Sequence, residues 1–209
     1  MADGELDHLV YATPDLEATV ADLEATLGVR AAPGGRHVGR GTRNAIVRLS
    51  EFSYFEIIAP DPTQANVPRP LWFGIDALTS PRLVTWAIQL GDVERVMGDA
   101  ARAGVVLGSI SHGSRETSEG ETLRWRLTNP DVMIDDGLVP FLIDWGRSRH
   151  PATTAPRGVS LRALRGEHPD AERVATHIAA VSATLPVVRA PRPALVATLV
   201  GKRGEVEVR

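Results

Sequence analysis

The chain has no cysteine in its 209 residues, which excludes disulfides, thiolate metal sites and a cysteine nucleophile. It has a single lysine, Lys202, so arginine carries almost all the positive charge. Arginine is the side chain suited to carboxylate and phosphate recognition. No block of like charge stands out and the formal net charge is −3, so neither nucleic acid nor an anionic membrane is an expected partner. No apolar run approaches the ~18 residues of a membrane span. The opening MADGELDH is acidic and lacks an apolar signal core, and a cytoplasmic protein is the expectation. Ser111, Ser114 and Ser118 fall in a stretch read as a polar loop, 111–121, without a nucleophile elbow, so a serine hydrolase is not supported.

What the chain does have is a repeat. LDHLVYATPDLEAT from Leu6, LVTWAIQLGDVERV from Leu83 and LRALRGEHPDAERV from Leu161 each read as an apolar strand, a turn ending in Asp, and an amphipathic helix. The turn aspartates Asp15, Asp92 and Asp170 are 77 and 78 residues apart. Asp15 is a good N-cap for a helix over Leu16–Leu27, with Gly28 as its stop. FEIIAP at Phe55 and FLIDWG at Phe141 occupy matching places 86 residues apart.

The pattern predicts an α+β protein of paired βαβββ modules curling round a central cavity. The modules span 1–60 and 82–146, separated by a proline-rich linker over 61–81. Within it, Leu71-Trp72-Phe73-Gly74 is too apolar for a free linker and is expected to pack over a module edge or a cavity mouth. Residues 147–209 read as a second linker and a βαββ-like extension that covers an open sheet edge.

This chain resembles the glyoxalase-like domain family of the vicinal-oxygen-chelate superfamily. LDHLVYA, HVGRGTRNAIV leading into SYFEIIAP, LVTWAIQ, RWRLTNP and PFLIDWG carry the likeness over roughly residues 5–146. The resemblance implies a cavity that often holds a divalent metal gripped by His and Glu side chains and acting as a Lewis acid. It implies His8 and Glu56 as ligands for Zn, Ni, Mn or Fe. The superfamily includes lyases, isomerases, epimerases, dioxygenases and non-catalytic binding proteins, and fold does not choose among them.

Strand parity places Leu6, His8, Val10 and Ala12 on one face, and Tyr54, Glu56 and Ile58 on another. The repeat equivalents of the two ligands are Thr85 and Leu142, so the second half of a four-residue site is missing. Asp144 shares Leu142's parity and is a candidate to reach inward. A hydrogen-bonded core histidine is the alternative reading of His8, and Arg48 or Arg126 are alternative partners for Glu56. A desolvated carboxylate is a stronger base, which makes Glu56 the candidate general base. His37 and Asn44, clustered with Thr42 among glycines, are candidates to orient substrate. Arg126 is the candidate anchor for an anionic group. Trp86, Trp125 and Trp145 read first as packing residues, with Trp86 and Trp125 as candidate pocket walls.

Two functions stay open. One is a glyoxalase-like enzyme of lyase or isomerase type, acting on a small oxygen-rich, anionic molecule with or without a metal. The other is a metal-free protein that binds or sequesters a small molecule in the same cavity. Either works as a monomer or a homodimer.

Overall fold

Each of the three turn aspartates caps a helix. The side chains of Asp15, Asp92 and Asp170 accept the backbone N–H groups of Ala18, Arg95 and Arg173, one orphan donor per helix. The helices are α1 (Leu16–Leu27), α2 (Val93–Arg102) and α3 (Ala171–Ala180). Gly28 ends α1 with φ 73° and returns its N–H to the Glu24 carbonyl, as only a left-handed residue does readily. The computed structural model describes residues 4–116 and 122–209; Ser118 and the end of the expected 111–121 loop lie outside them.

The first module runs β1 (Glu5–Ala12), α1, β2 (Ala32–His37), β3 (Thr42–Arg48) and β4 (Tyr54–Pro60). The second runs β5 (Arg82–Gln89), α2, β6 (Ile110–Glu116), β7 (Thr122–Thr128) and β8 (Phe141–Asp144). Two stretches read as connections are strands: the glycine-rich segment leading to His37 is β2, and the start of the polar stretch at 111 belongs to β6. Both are edge strands, where burial is incomplete and an apolar alternation is not needed.

All eight strands form one sheet in the order β2-β3-β4-β1-β5-β8-β7-β6. Within each module the first strand pairs parallel with the last, and β1 pairs antiparallel with β5 across the middle. The sheet curls until its edges β2 and β6 approach each other, so it is a nearly closed cup. One face carries the inner cluster of Val10, Ala12, Tyr54, Ile58, Trp125, Phe141 and Trp145. The other packs Leu9, Phe55, Ile57, Trp86, Ile88 and Leu142 beneath the helices. Each fully buried Leu, Ile or Phe contributes roughly 1.5–3 kcal/mol.

The strand pairing has a bulge between Leu6 and His8. Asp7 is the extra residue. The bulge turns Leu6 onto the helix-side core while His8 lines the cup, so the shared face expected for Leu6 and His8 is broken there.

The C-terminal unit is β9 (Ser160–His168), α3, β10 (Val187–Arg189), β11 (Ala194–Val200) and β12 (Glu205–Val208), a four-stranded sheet ordered β10-β9-β11-β12. Its first strand pairs parallel with the strand directly after the helix, unlike either module, so the repeat extends only through strand, cap and helix. The unit covers a face rather than an edge. Val174, Ile178, Leu195, Leu199 and Val208 join Leu9, Trp86 and Ile88 in one core, and the Leu83 N–H bonds the Arg209 carbonyl at 2.6 Å.

The β11–β12 turn seats on the end of α1, where the Arg203 N–H bonds the Leu27 carbonyl at 3.3 Å. A Cβ at Gly201 would collide with that same carbonyl. Gly201→Ala is therefore expected to destabilise the protein by about 1–3 kcal/mol, as overpacking does. Urea unfolding checks this; a change within about 0.5 kcal/mol, typical of free surface sites, would show that the turn yields.

Candidate functional site

The cup encloses a cavity lined by His8, His37, Asn44, Tyr54, Glu56, Arg115 and an aromatic wall of Trp72, Phe73, Trp125, Phe141 and Trp145. Its volume is about 40 Å³, room for roughly three waters at about 10–15 Å³ each.

Glu56 sits at the centre, 6 % exposed. The Asn44 side-chain amide donates to its Oε1. The Nε2 of His8 lies 3.8 Å from Oε2, and the Nε2 of His37 lies 4.0 Å from Oε1. Strand register explains the convergence: β3 lays Asn44 beside Ile58 and Ile46 beside Glu56, while β1 lays Val10 beside Glu56 and His8 beside Tyr54.

Each histidine is oriented from behind. His8 Nδ1 lies 2.5 Å from the fully buried Asp7 carboxylate, so Nδ1 carries a proton and, in the neutral ring, Nε2 presents its lone pair to the cavity. Asp7 also accepts the Trp145 indole N–H at 2.8 Å and faces His150 Nε2 at 3.1 Å. His150 Nδ1 accepts the Ala152 N–H, which leaves the proton for Nε2. Burial opposes the Asp7 charge, yet the hydrogen bonds from His150 and His8 outweigh it and hold the carboxyl below its ordinary range. His37 Nδ1 lies 2.8 Å from the Thr42 hydroxyl. Burial, aided by the nearby Arg115, His8 and Arg40 charges and opposed by Glu56, lowers His37 to about 4.

Of the expected residues, the structure brings together His8, His37, Asn44, Glu56 and Trp125. It places the others elsewhere. Phe141 and Ile143 of β8 and the following Trp145 line the cavity, so Leu142 and Asp144 face away. Register corrects the equivalence: Val10 pairs with Glu56 and its repeat partner Ala87 pairs with Phe141. Phe141, not Leu142, matches Glu56. The shared phenylalanine of FEIIAP and FLIDWG set the offset one residue too long. Asp144 holds Arg126 at 2.7 Å and Arg126 reaches Glu94 of α2 at 2.6 Å. Arg126 is thus an outer-face ion-pair residue and not an anion anchor in the cup. Trp86 lies in the helix-side core, its N–H on the Leu138 carbonyl. Arg48 bonds the Ser50 carbonyl rather than Glu56.

Sequence reasoning missed Asp7, Tyr54, Arg115, Phe141 and His150. Tyr54 and Phe141 left a signal, in the alternation of their strands. The linker segment behaves as expected: the Trp72 ring lies tilted 5.4 Å from that of His37 and Phe73 lies 6.1 Å from Phe141, over the mouth.

His8 and Glu56 have the donor chemistry of a divalent-metal site, and Asp7 orients His8 as outer partners of metal-bound histidines do. Donor separations of 3.8 and 4.0 Å are wide for a shared ion, and among the described residues no three His, Asp or Glu side chains form a ligand set. The residues fit two ligands of a metal site and not a complete one.

The glyoxalase-like domain model matches residues 6–182. The chain belongs to the glyoxalase-like domain family. A Staphylococcus aureus hypothetical protein shares the fold of this glyoxalase-like chain, with a TM-score of 0.62 at 14 % identity over 97 % of this chain and 83 % of the other. Methylmalonyl-CoA epimerase of Streptomyces coelicolor aligns at 0.43 and 20 % identity over 68 % of this chain and 97 % of its own. The Mycobacterium tuberculosis epimerase aligns at 0.42 and 16 % over 67 % and 85 %. No activity follows from these likenesses. No curated protein matches this glyoxalase-like chain.

Because the folded value of His37 is about 4 against 6.5 for a free histidine, the unfolded chain binds the extra proton between them. Stability is therefore full above pH 6.5 and falls as pH drops toward 4, by about 3 kcal/mol. Denaturation from pH 7 to 4 is expected to show that slope in the native sequence and to lose it in His37→Gln. An equal slope in both would refute the neutral, buried His37.

Proposed function

We propose that this glyoxalase-like domain is an enzyme of lyase or isomerase type that moves a proton on a small oxygen-rich substrate, with Glu56 as the base. One observation carries the reading: a buried carboxylate with one hydrogen-bond partner among the described residues, Asn44, faces the Nε2 atoms of two imidazoles in a cavity walled mainly by aromatic and aliphatic carbon. Such a carboxylate is poorly solvated and positioned, which is what general-base catalysis needs. Asn44 holds Oε1 in place and leaves Oε2 for the substrate.

The step balances within the cavity. Glu56 takes a proton from a carbon next to a carbonyl, the C–H bond breaks, and its electron pair moves to the carbonyl oxygen as an enolate. His37, whose neutral ring carries its proton on Nε2 when the Thr42 hydroxyl donates to Nδ1, is placed to hydrogen-bond that oxygen. Return of the proton from Glu56 completes the cycle. Trp72 and Phe73 over the mouth exclude water from the enolate.

A second reading has its own support. The Asp7-fixed tautomer of His8 leaves Nε2 free, and His8 with Glu56 would then hold a divalent ion whose chemistry is Lewis-acid polarisation of the substrate oxygen.

Two measurements test these readings. Incubated in D₂O with a panel of small oxo compounds and followed by NMR, the protein is expected to exchange an acidic C–H of at least one of them. Glu56→Gln should slow that exchange by about 10²-fold or more. Full exchange in that variant overturns the base, and ligand binding with no exchange in the native protein means a sequestering protein. Elemental analysis of purified native protein and His8→Ala decides the metal: stoichiometric metal lost in the variant supports it, and equal metal in both removes His8 as a ligand.

A further inference from the structure

Arg115 is 6 % exposed and lines the cavity. It stands on the edge strand β6 opposite Leu123 of β7, with Gly113 two residues back beneath Trp125. A Cβ at Gly113 would strike the Trp125 ring, so the glycine lets the indole lie flat against β6 and leaves the inner wall beside it to Arg115.

Among the described residues, Arg115 has neither an ion pair within 4.0 Å nor a hydrogen bond. Every other cavity charge is compensated differently: Asp7 has three donors and Glu56 has Asn44. The Arg115 nitrogens keep some accessible surface, yet a largely buried guanidinium with no anion beside it is a costly arrangement in a protein interior. It is retained where the missing anion is a ligand. A second donor is similarly idle, since the Trp72 indole N–H is buried with no partner and that residue also lines the cavity.

We propose that Arg115 is the carboxylate anchor of this cavity, and that the ligand is a small oxo acid. This rests on the reading of Glu56 as the base. The guanidinium fork matches a carboxylate in two parallel hydrogen bonds. Arg115 and Glu56 make no ion pair with each other, so a short acid fits between them, with its carboxylate on Arg115 and its acidic carbon turned to Glu56. The aromatic wall takes the carbon skeleton. A cavity of about 40 Å³, room for roughly three waters at about 10–15 Å³ each, admits only a short acid. That size points to an oxo acid of a few carbons.

Tryptophan fluorescence reads the proposal directly, because Trp72, Trp125 and Trp145 line the cavity. The probes are pyruvate, 2-oxobutyrate and acetoacetate, each against its methyl ester, on the full chain. At least one acid is expected to bind tenfold or more tightly than its ester. Arg115→Gln should abolish that preference and Arg115→Lys should restore part of it. Glu56→Gln should keep it while losing deuterium exchange, so failure of the base and failure of the anchor show up separately. Acids binding no better than esters in the native protein, or an unchanged preference in a folded Arg115→Gln, overturns the proposal.

Discussion

A carboxylate taken wholly out of water has to be met by donors, and Asp7 is met by three from different parts of the chain. Its neighbour His8 lies in the first strand, Trp145 at the end of the second module's last strand, and His150 in the connection to the C-terminal unit. The cost of burying the charge makes the interaction all or nothing: remove a partner and an uncompensated charge remains. Asp7 therefore fixes how the two modules and the following linker meet. It also fixes the His8 tautomer, and through His8 the environment of Glu56.

The near-symmetry of the two modules has a consequence for chemistry. Both contribute the same strands to the same sheet, yet their inner faces differ in kind. The first supplies His8, His37, Asn44 and Glu56; the second supplies Trp125, Phe141 and Trp145, with Arg115 its single charge among the described residues. One half carries most of the titratable groups and the other a largely apolar wall. The linker between modules completes the enclosure, because Trp72 and Phe73 belong to neither sheet and lie across its mouth.

The helix ends and the module order could be read directly, since an aspartate cap, a 3.6-residue apolar period and a terminal glycine are local signals. The inward set on β1 and β4 followed from alternation alone. Alternation failed where the backbone departs from it. The bulge at Asp7 adds a residue to one strand and turns Leu6, which parity had placed with His8, onto the helix-side core. On β8 the parity was sound and the offset was not, so Leu142 and Asp144 were given the face that Phe141 and Ile143 hold. Arg126 failed because the inward face of β7 belongs to Leu123, Trp125 and Leu127, and the Arg126 partners Glu94 and Asp144 are far away in sequence.

The sequence by itself determined the modules and their caps, because each depends on neighbours within one turn or one strand, while the pair His8 and Glu56 was implied by the family resemblance. Tertiary structure decided which arginine faces the cup, what orients each histidine, and how the third unit packs. Those depend on register between strands that are distant along the chain. A one-residue change of register exchanges the two faces of a strand, and nothing local in the sequence records it.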